Sequence, residues 1–225
     1  MIVVIVRKKM KTINEFDVSS LVFSGLRKNA KGGKMVYVNL AGGTKAHFEM
    51  PTLRSPFGIS TYTDNNTGVT SYSLDLSLED PSVVDKIRAI ENSVLDHVTS
   101  HSEELLGKKY SQEVIKDALF KSCIRESKEG KYAPTLKLKI LTRDGKFVPE
   151  AYDSSRCMTT LDTLQKGQRV KTIVDFNQIW IIDNKFGLSV RLLQAMLFPT
   201  SELKGCAFGD DFVDEVVNEE EDNDE

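Results

Sequence analysis

The sequence predicts a mainly β protein interrupted by a helical insertion. Three observations lead there. Short alternating apolar–polar stretches, broken by Gly, Pro and Asn, fill the first third of the 225 residues. One apolar stripe at helical spacing follows Pro81, and alternation returns after residue 134.

The elements follow in order. "KMVYVNL" (34–40) alternates, "AGGT" supplies a turn, and "KAHFEM" (45–50) completes a hairpin signature. "PTLRSPFG" (51–58), with two prolines and a glycine, reads as a loop rather than a central strand. "ISTYT" and "SYSLDLSL" (71–78) flank the turn-rich "DNNTG". Asp80 is a cap and Pro81 a first helical residue, where the missing N–H costs nothing. Val83, Val84, Ile87, Ile90, Val94, Leu95 and Val98 then form one stripe on a helix of about six turns. Gly107 ends that stretch, and Ser111 caps a second helix carrying Val114, Ile115, Ala118 and Leu119. Beyond the loop "ESKEGKYAP", strands are expected at "TLKLKIL" (135–141), "GKFVPEAYD", "QRVKTIVDF" (168–176), "QIWIID" (178–183) and "GLSVRLLQAML" (187–197). "DNKFG" is a hairpin loop between the last two. Two helices inside a run of short antiparallel strands fit a small closed barrel of the OB type better than βαβ units. The expected organisation is one OB-like domain over 1–208, with a helical insert at about 80–125, and a disordered acidic tail over 209–225.

Charge is distributed unevenly. The closing stretch "DDFVDEVVNEEEDNDE" (210–225) holds ten acidic residues and no basic one. Without it, 30 basic residues face 23 acidic ones, a net +7 against −3 for the whole chain. That excess lies in residues 1–56, with ten Lys or Arg against Glu15, Asp17 and Glu49; residues 57–209 balance. Such asymmetry points to a polyanionic partner, with a solvated lysine-rich edge as the plainer explanation. The cysteines Cys123, Cys157 and Cys206 are scattered without a C-x-x-C pair, which argues for reduced thiols inside a cell. "MIVVIV" is too short for a signal-peptide core or a membrane span, so a soluble, intracellular protein is expected.

Catalytic patterns are missing. "NLAGGT" lacks the lysine of a phosphate loop, and its glycines suit a turn. His47 has no convincing nucleophile near it in sequence. His97 and His101, four apart on a helix with Glu103 and Glu104 beyond, have the spacing of metal ligands, but the pattern lacks H-E-x-x-H and fits a plain solvent face better. The expectation is no enzyme, no metal and no cofactor.

Binding signals are stronger. In "TLKLKIL", Lys137 and Lys139 oppose Leu136, Leu138 and Ile140; in "QRVKTIV", Arg169 and Lys171 oppose Val170, Thr172 and Val174. The aromatics Tyr37, Phe48, Phe57, Tyr62, Tyr72, Tyr132, Tyr152 and Trp180 are spread over the same elements. Cations along phosphates and rings under unpaired bases are how single strands are held, although strand aromatics are more often core and alternating lysines more often the wet side of a sheet. Candidate phosphate contacts are Lys137, Lys139, Arg169 and Lys171, extended by Lys34, Lys45 and Arg54. Candidate stacking platforms are Phe57, Tyr62, Tyr72 and Trp180. The tail, through Asp210, Asp211, Phe212, Asp214 and Glu215, would occupy the cationic groove when it is empty and dock on partner proteins once displaced.

In this order "KMVYVNL", "PTLRSPFGIS", "YSLDLSL", a helical insert, "PTLKLKI", "WIIDNKFGLSVRLLQ" and an acidic end resemble the single-stranded DNA-binding proteins of nucleocytoplasmic large DNA viruses, relatives of small phage single-strand-binding proteins. The likeness covers residues 20 to 225; the first 20 lie outside it. It implies an OB-fold, sequence-tolerant binding of single-stranded DNA, and work in viral DNA replication, recombination and repair, in host cytoplasm or nucleus. It also implies that the acidic end regulates binding and recruits replication proteins. A homodimer through strand edges or tail exchange stays open, and so does the other reading, a protein-interaction adaptor of a replication or transcription complex that does not touch DNA.

Overall fold

The structure, a computed structural model, describes residues 10–28 and 32–200. The tail from residue 209, its partner-binding residues and its expected disorder lie outside the described residues, as do residues 1–9.

The main strands are β1 (Lys34–Leu40), β2 (His47–Glu49), β3 (Leu53–Arg54), β4 (Ile59–Thr63), β5 (Thr70–Ser77), β6 (Thr135–Ile140), β7 (Arg169–Ile182) and β8 (Lys185–Leu197). Five of them close a ring in the order β3–β5–β6–β8–β7 and back to β3. In chain order that is 1-2-3-5-4-1, the Greek-key path of an OB barrel. The ring is antiparallel except where β6 meets β8, a parallel pairing at Lys139 and Arg191. Its interior is the alternating face foreseen in the sequence: Leu74, Leu76, Leu136, Leu138, Val170 and Val174 are buried.

Three local features differ from the expectations. The 34–50 stretch turns at 41–43, but its halves share only the Asn39–Lys45 bridge instead of forming a hairpin ladder. β1, β2 and β3 all run along β7, at Gln178–Ile181, Ile173–Asp175 and Arg169–Val170. They are successive pieces of one broken strand, with residues between β1 and β2 making an excursion. Leu53 and Arg54, expected in a loop, therefore help to close the ring; their prolines sit just outside the paired residues, where a missing N–H is harmless. The two strands expected on either side of Asn177 are one strand, β7, whose register shifts between Phe176 and Gln178. Its turn into β8 is the two-residue Asp183–Asn184, both at positive φ (48° and 61°), the twist-matched geometry of a tight hairpin.

The insert opens on α1 (Pro81–Ser100), with the Asp80 carboxylate accepting from the Ser82 amide at 2.9 Å. All seven residues of the predicted stripe are buried, each such side chain contributing about 1.5–3 kcal/mol. A short helix, α2 (Ser102–Leu106), ends at Gly107, and Ser111 caps the turn Gln112–Val114. That turn runs on as one wide turn, Ile115–Leu119, rather than as a regular second helix. No helix among the described residues is long and apolar enough to cross a membrane.

His97 ties the insert to the N-terminal segment. Its ring stacks on Phe23 at 4.3 Å and lies 4.5 Å from the ring of His101, whose Nδ1 lies 2.9 Å from the His97 carbonyl. Burial, with a smaller effect from His101, lowers the His97 pKa to about 4 from 6.5. The unfolded chain therefore takes up this proton more readily than the folded one. Stability from this site is complete above about pH 6.5 and declines as pH falls towards 4. The melting temperature should accordingly fall less between those values in His97→Gln than in the wild type; equal falls would clear His97 of the effect.

Candidate nucleic-acid interface

Register fixes which side chains share the outer face of the barrel. Directly paired residues point the same way. One row crosses five strands as Arg169, Arg54, Ser77, Thr135 and Arg125. Another runs Ser60, Ser73, Lys139 and Arg191. Between them Lys137 stands opposite Asp75. Asp75 is only 5% exposed and is not among the residues lining the groove described next.

Two open compartments lie on this face. The first, about 470 Å³, is lined by the cations Lys121, Arg125, Lys137 and Lys139, and by the aromatics Tyr62, Tyr72 and Trp180. Ser71, Ser73, Ser122 and Ser189 add hydroxyls, and no carboxylate among the described residues lines it. None of its four cations is ion-paired among the described residues. The second, about 740 Å³, holds Arg54, Phe57, Arg125, Lys131 and Tyr132, with Glu79 and Glu126 at its side. Arg88 neutralises Glu126 at 2.7 Å. Phe57 and Tyr132 are 55% and 72% exposed, with the Lys131 ammonium 5.9 Å from the Tyr132 ring centre. Arg125 belongs to both compartments, so the two form one continuous basic and aromatic path.

The structure thus brings Tyr62, Tyr72, Lys137, Lys139 and Trp180 together, with Arg54 and Phe57 adjoining and Arg169 beside Arg54. Tyr62 projects freely at 68% exposure, whereas Tyr72 is half-buried against Phe147 with ring centroids 5.1 Å apart. Other candidates lie apart. Lys171 is held by Glu49 at 2.6 Å and lines a separate small pocket with Tyr152. Lys34 donates to the Leu105 carbonyl at 3.3 Å, anchoring α2. Lys45 sits 5.4 Å from the Tyr37 ring centre, with Arg27 at 5.8 Å. Phe48 is fully buried in the core.

In the second compartment Lys131 escaped the sequence reading; in the first, Lys121 and Arg125 did. They sit in the two-residue strands Phe120–Lys121 and Ile124–Arg125, too short to show alternation. The first pairs with β8 in parallel and the second with β6 antiparallel. Between them, burial and the Glu91 carboxylate push the Cys123 thiol well above its ordinary range, so this cysteine is a poor nucleophile.

Trp180 owes its position to Gly187, its partner across the hairpin. A Cβ there would lie 2.8 Å from the indole and 2.5 Å from the Lys121 carbonyl. Gly187→Ala should cost about 1–3 kcal/mol by overpacking and shift the emission of Trp180, which, as the only tryptophan, reports alone. An unshifted spectrum with unchanged stability would contradict this packing.

Comparison with known proteins gives a family and a set of structures. The family model described as Family of unknown function (DUF5871) matches residues 65–214, two thirds of the chain. No curated protein matches. Among solved structures, the single-stranded DNA-binding protein from bacteriophage Enc34 in complex with ssDNA is similar at a TM-score of 0.45 and 14% identity, over 80% of this chain and 97% of that one. A C-terminal truncation of the phage protein gives 0.42 and 14%, over 81% and 96%. A third structure of it gives 0.40 and 15%, over 84% and 96%.

Proposed function

We propose that this chain, which belongs to the family DUF5871, is a non-enzymatic protein that binds single-stranded DNA with little regard to sequence. The observation that carries the reading is the first compartment, where β4, β5, β6, β7 and the strand pieces at 120–125 bring together four cations without an ion-pair partner among the described residues and three aromatics. In an OB barrel the face of strands 2 and 3, with the loops between strands 1–2 and 4–5, is where oligonucleotides lie. Here β5 and β6 are those strands, β4 with Phe57 and Tyr62 belongs to the first loop, and Trp180 stands near the second.

The division of labour follows from chemistry. Lys121, Arg125, Lys137 and Lys139 take phosphates, while Tyr62 and Trp180 offer surfaces on which unpaired bases stack at about 1–3 kcal/mol each. Arg125 hands the strand to the second compartment, where Phe57 and Tyr132 repeat the arrangement beside Arg54 and Lys131. A duplex hides its base faces, so stacking favours the unpaired state and would melt hairpins.

The tail completes the proposal. Ten acidic residues tethered to a body of net +7 form a competitor at millimolar effective concentration. Its Phe212, Val213, Val216 and Val217 give a partner protein an apolar handle once DNA has displaced it. The body 1–208 acts as one domain and 209–225 as its tether. The resemblance drawn from the sequence supports service in viral DNA replication, recombination and repair.

Titration of Trp180 emission with oligo(dT) across salt tests the reading. Four phosphates in the first compartment give log K against log salt a slope of about −3; adding Arg54, Lys131 and Arg169 steepens it to about −5. A slope near zero removes the groove from the account. Deleting residues 209–225 should tighten binding and steepen the slope, because the groove then exchanges small counterions rather than a tethered polyanion for phosphates, whereas mutating the groove cations flattens it. Unchanged affinity after deletion would contradict competition by the tail and favour an adaptor role for it.

A further inference from the structure

The helical insertion has a buried carboxylate that neither the fold nor the proposed contacts require. Glu91 lies in the middle of the apolar stripe of α1 and is 5% exposed. Leaving a carboxylate there is costly unless its oxygens are satisfied. They are: the single Ser122 hydroxyl hydrogen is shared between the two oxygens, each 2.9 Å from Oγ, and the Cys123 amide donates to Oε1 at 2.6 Å. The Ile124 amide in turn donates to Ser122 Oγ at 3.0 Å. Every one of these donors belongs to residues 122–124, the centre of a strap running from Phe120 to Arg125.

That strap crosses an opening. β6 and β8 pair only at Lys139 and Arg191. Towards Thr135 and Gly187 they diverge, and the strap fills the space, pairing Lys121 with Gly187 at one end and Arg125 with Thr135 at the other. Phe120 and Ile124 point inward, packing on Phe186 at 5.5 Å and pairing with Leu136. Lys121 and Arg125 share the outer face with Trp180 and Thr135 and line the groove.

We infer that Glu91 is a positioning residue for nucleic-acid binding: it clamps the strap across the gap between β6 and β8 and so holds Lys121 and Arg125 at phosphate distance. This rests on the single-strand-binding reading above. The insertion is then part of the binding apparatus rather than an appended packing element. The carboxylate touches no nucleic acid itself. Its negative charge stays buried beneath the strap, shielded from the phosphates that the two cations receive.

The test compares full-length wild type, Glu91→Ala, Glu91→Gln, Lys121→Ala/Arg125→Ala and the triple variant, each titrated with oligo(dT) across salt. Loss of two phosphate contacts flattens the slope by about 1.4. Glu91→Ala should approach that value, and in the Lys121→Ala/Arg125→Ala background it should change the slope no further. Glu91→Gln, which keeps a carbonyl oxygen for the Cys123 amide, should restore most of the wild-type slope. Amide exchange at Cys123 and Ile124 should speed up in Glu91→Ala without DNA. Folded Glu91→Ala with the wild-type slope, or an effect additive with loss of the two cations, overturns the inference. If Glu91→Ala does not fold, Ser122→Ala takes its place, and a wild-type slope there is equally fatal. Failure of the wild type to bind oligo(dT) would instead sink the parent reading, while the exchange result would still report on the clamp.

Discussion

The divergence of β6 from β8 is the constraint on which the rest of this structure depends. β6 and β8 pair in parallel at Lys139 and Arg191 only, which leaves their ends towards Thr135 and Gly187 without each other as partners. The chain solves this by sending residues 120–125 into the gap. Because a strand in that place alternates, its inward residues Phe120 and Ile124 complete the core. Its outward residues Lys121 and Arg125 necessarily join the groove. Closing the barrel and charging its outer face are one structural act. The insertion between β5 and β6 supplies both this strap and the helix α1 whose buried carboxylate holds it.

Electrostatics divides the basic residues into two groups. Lys171 beside Glu49 and Lys34 on the Leu105 carbonyl are spent on structure. The groove cations have no such partner among the described residues and remain available to an incoming anion. Exposed pairs such as Lys171–Glu49 add at most about 1 kcal/mol, so the division matters more for where a polyanion settles than for stability. The excess charge counted along residues 1–56 is a poor guide to that place. All four cations of the first compartment, Lys121, Arg125, Lys137 and Lys139, lie in the charge-balanced part of the chain.

Legibility tracked the range of the interactions involved. α1 could be read in full because a cap, a proline and a 3.6-residue stripe are all local. The alternation of Lys137 and Lys139 against Leu136 and Leu138 named an inner and an outer face correctly for the same reason. The stretch 34–50 was misjudged because its partner is β7, far along the chain, and a turn flanked by alternating runs looks the same whichever strand it serves. β7 was split at Asn177 because a register shift resembles a break. Lys171 kept the appearance of a free cation because Glu49 reaches it only through the β2–β7 pairing. Glu91 did leave a trace: a carboxylate in phase with Ile87, Ile90, Val94 and Val98 is out of place unless something buried needs it.

The central claim is that one continuous face, from Trp180 through Lys137 and Lys139 to Phe57, holds an unpaired polynucleotide. Photo-crosslinking of oligo(dT) to the full chain, with the modified residues mapped by mass spectrometry, tests it most directly. The account predicts crosslinks at Tyr62 and Trp180, continuing to Phe57 and Tyr132 as the oligonucleotide lengthens. Crosslinks confined to the Glu49, Lys171 and Tyr152 side of the barrel would contradict it.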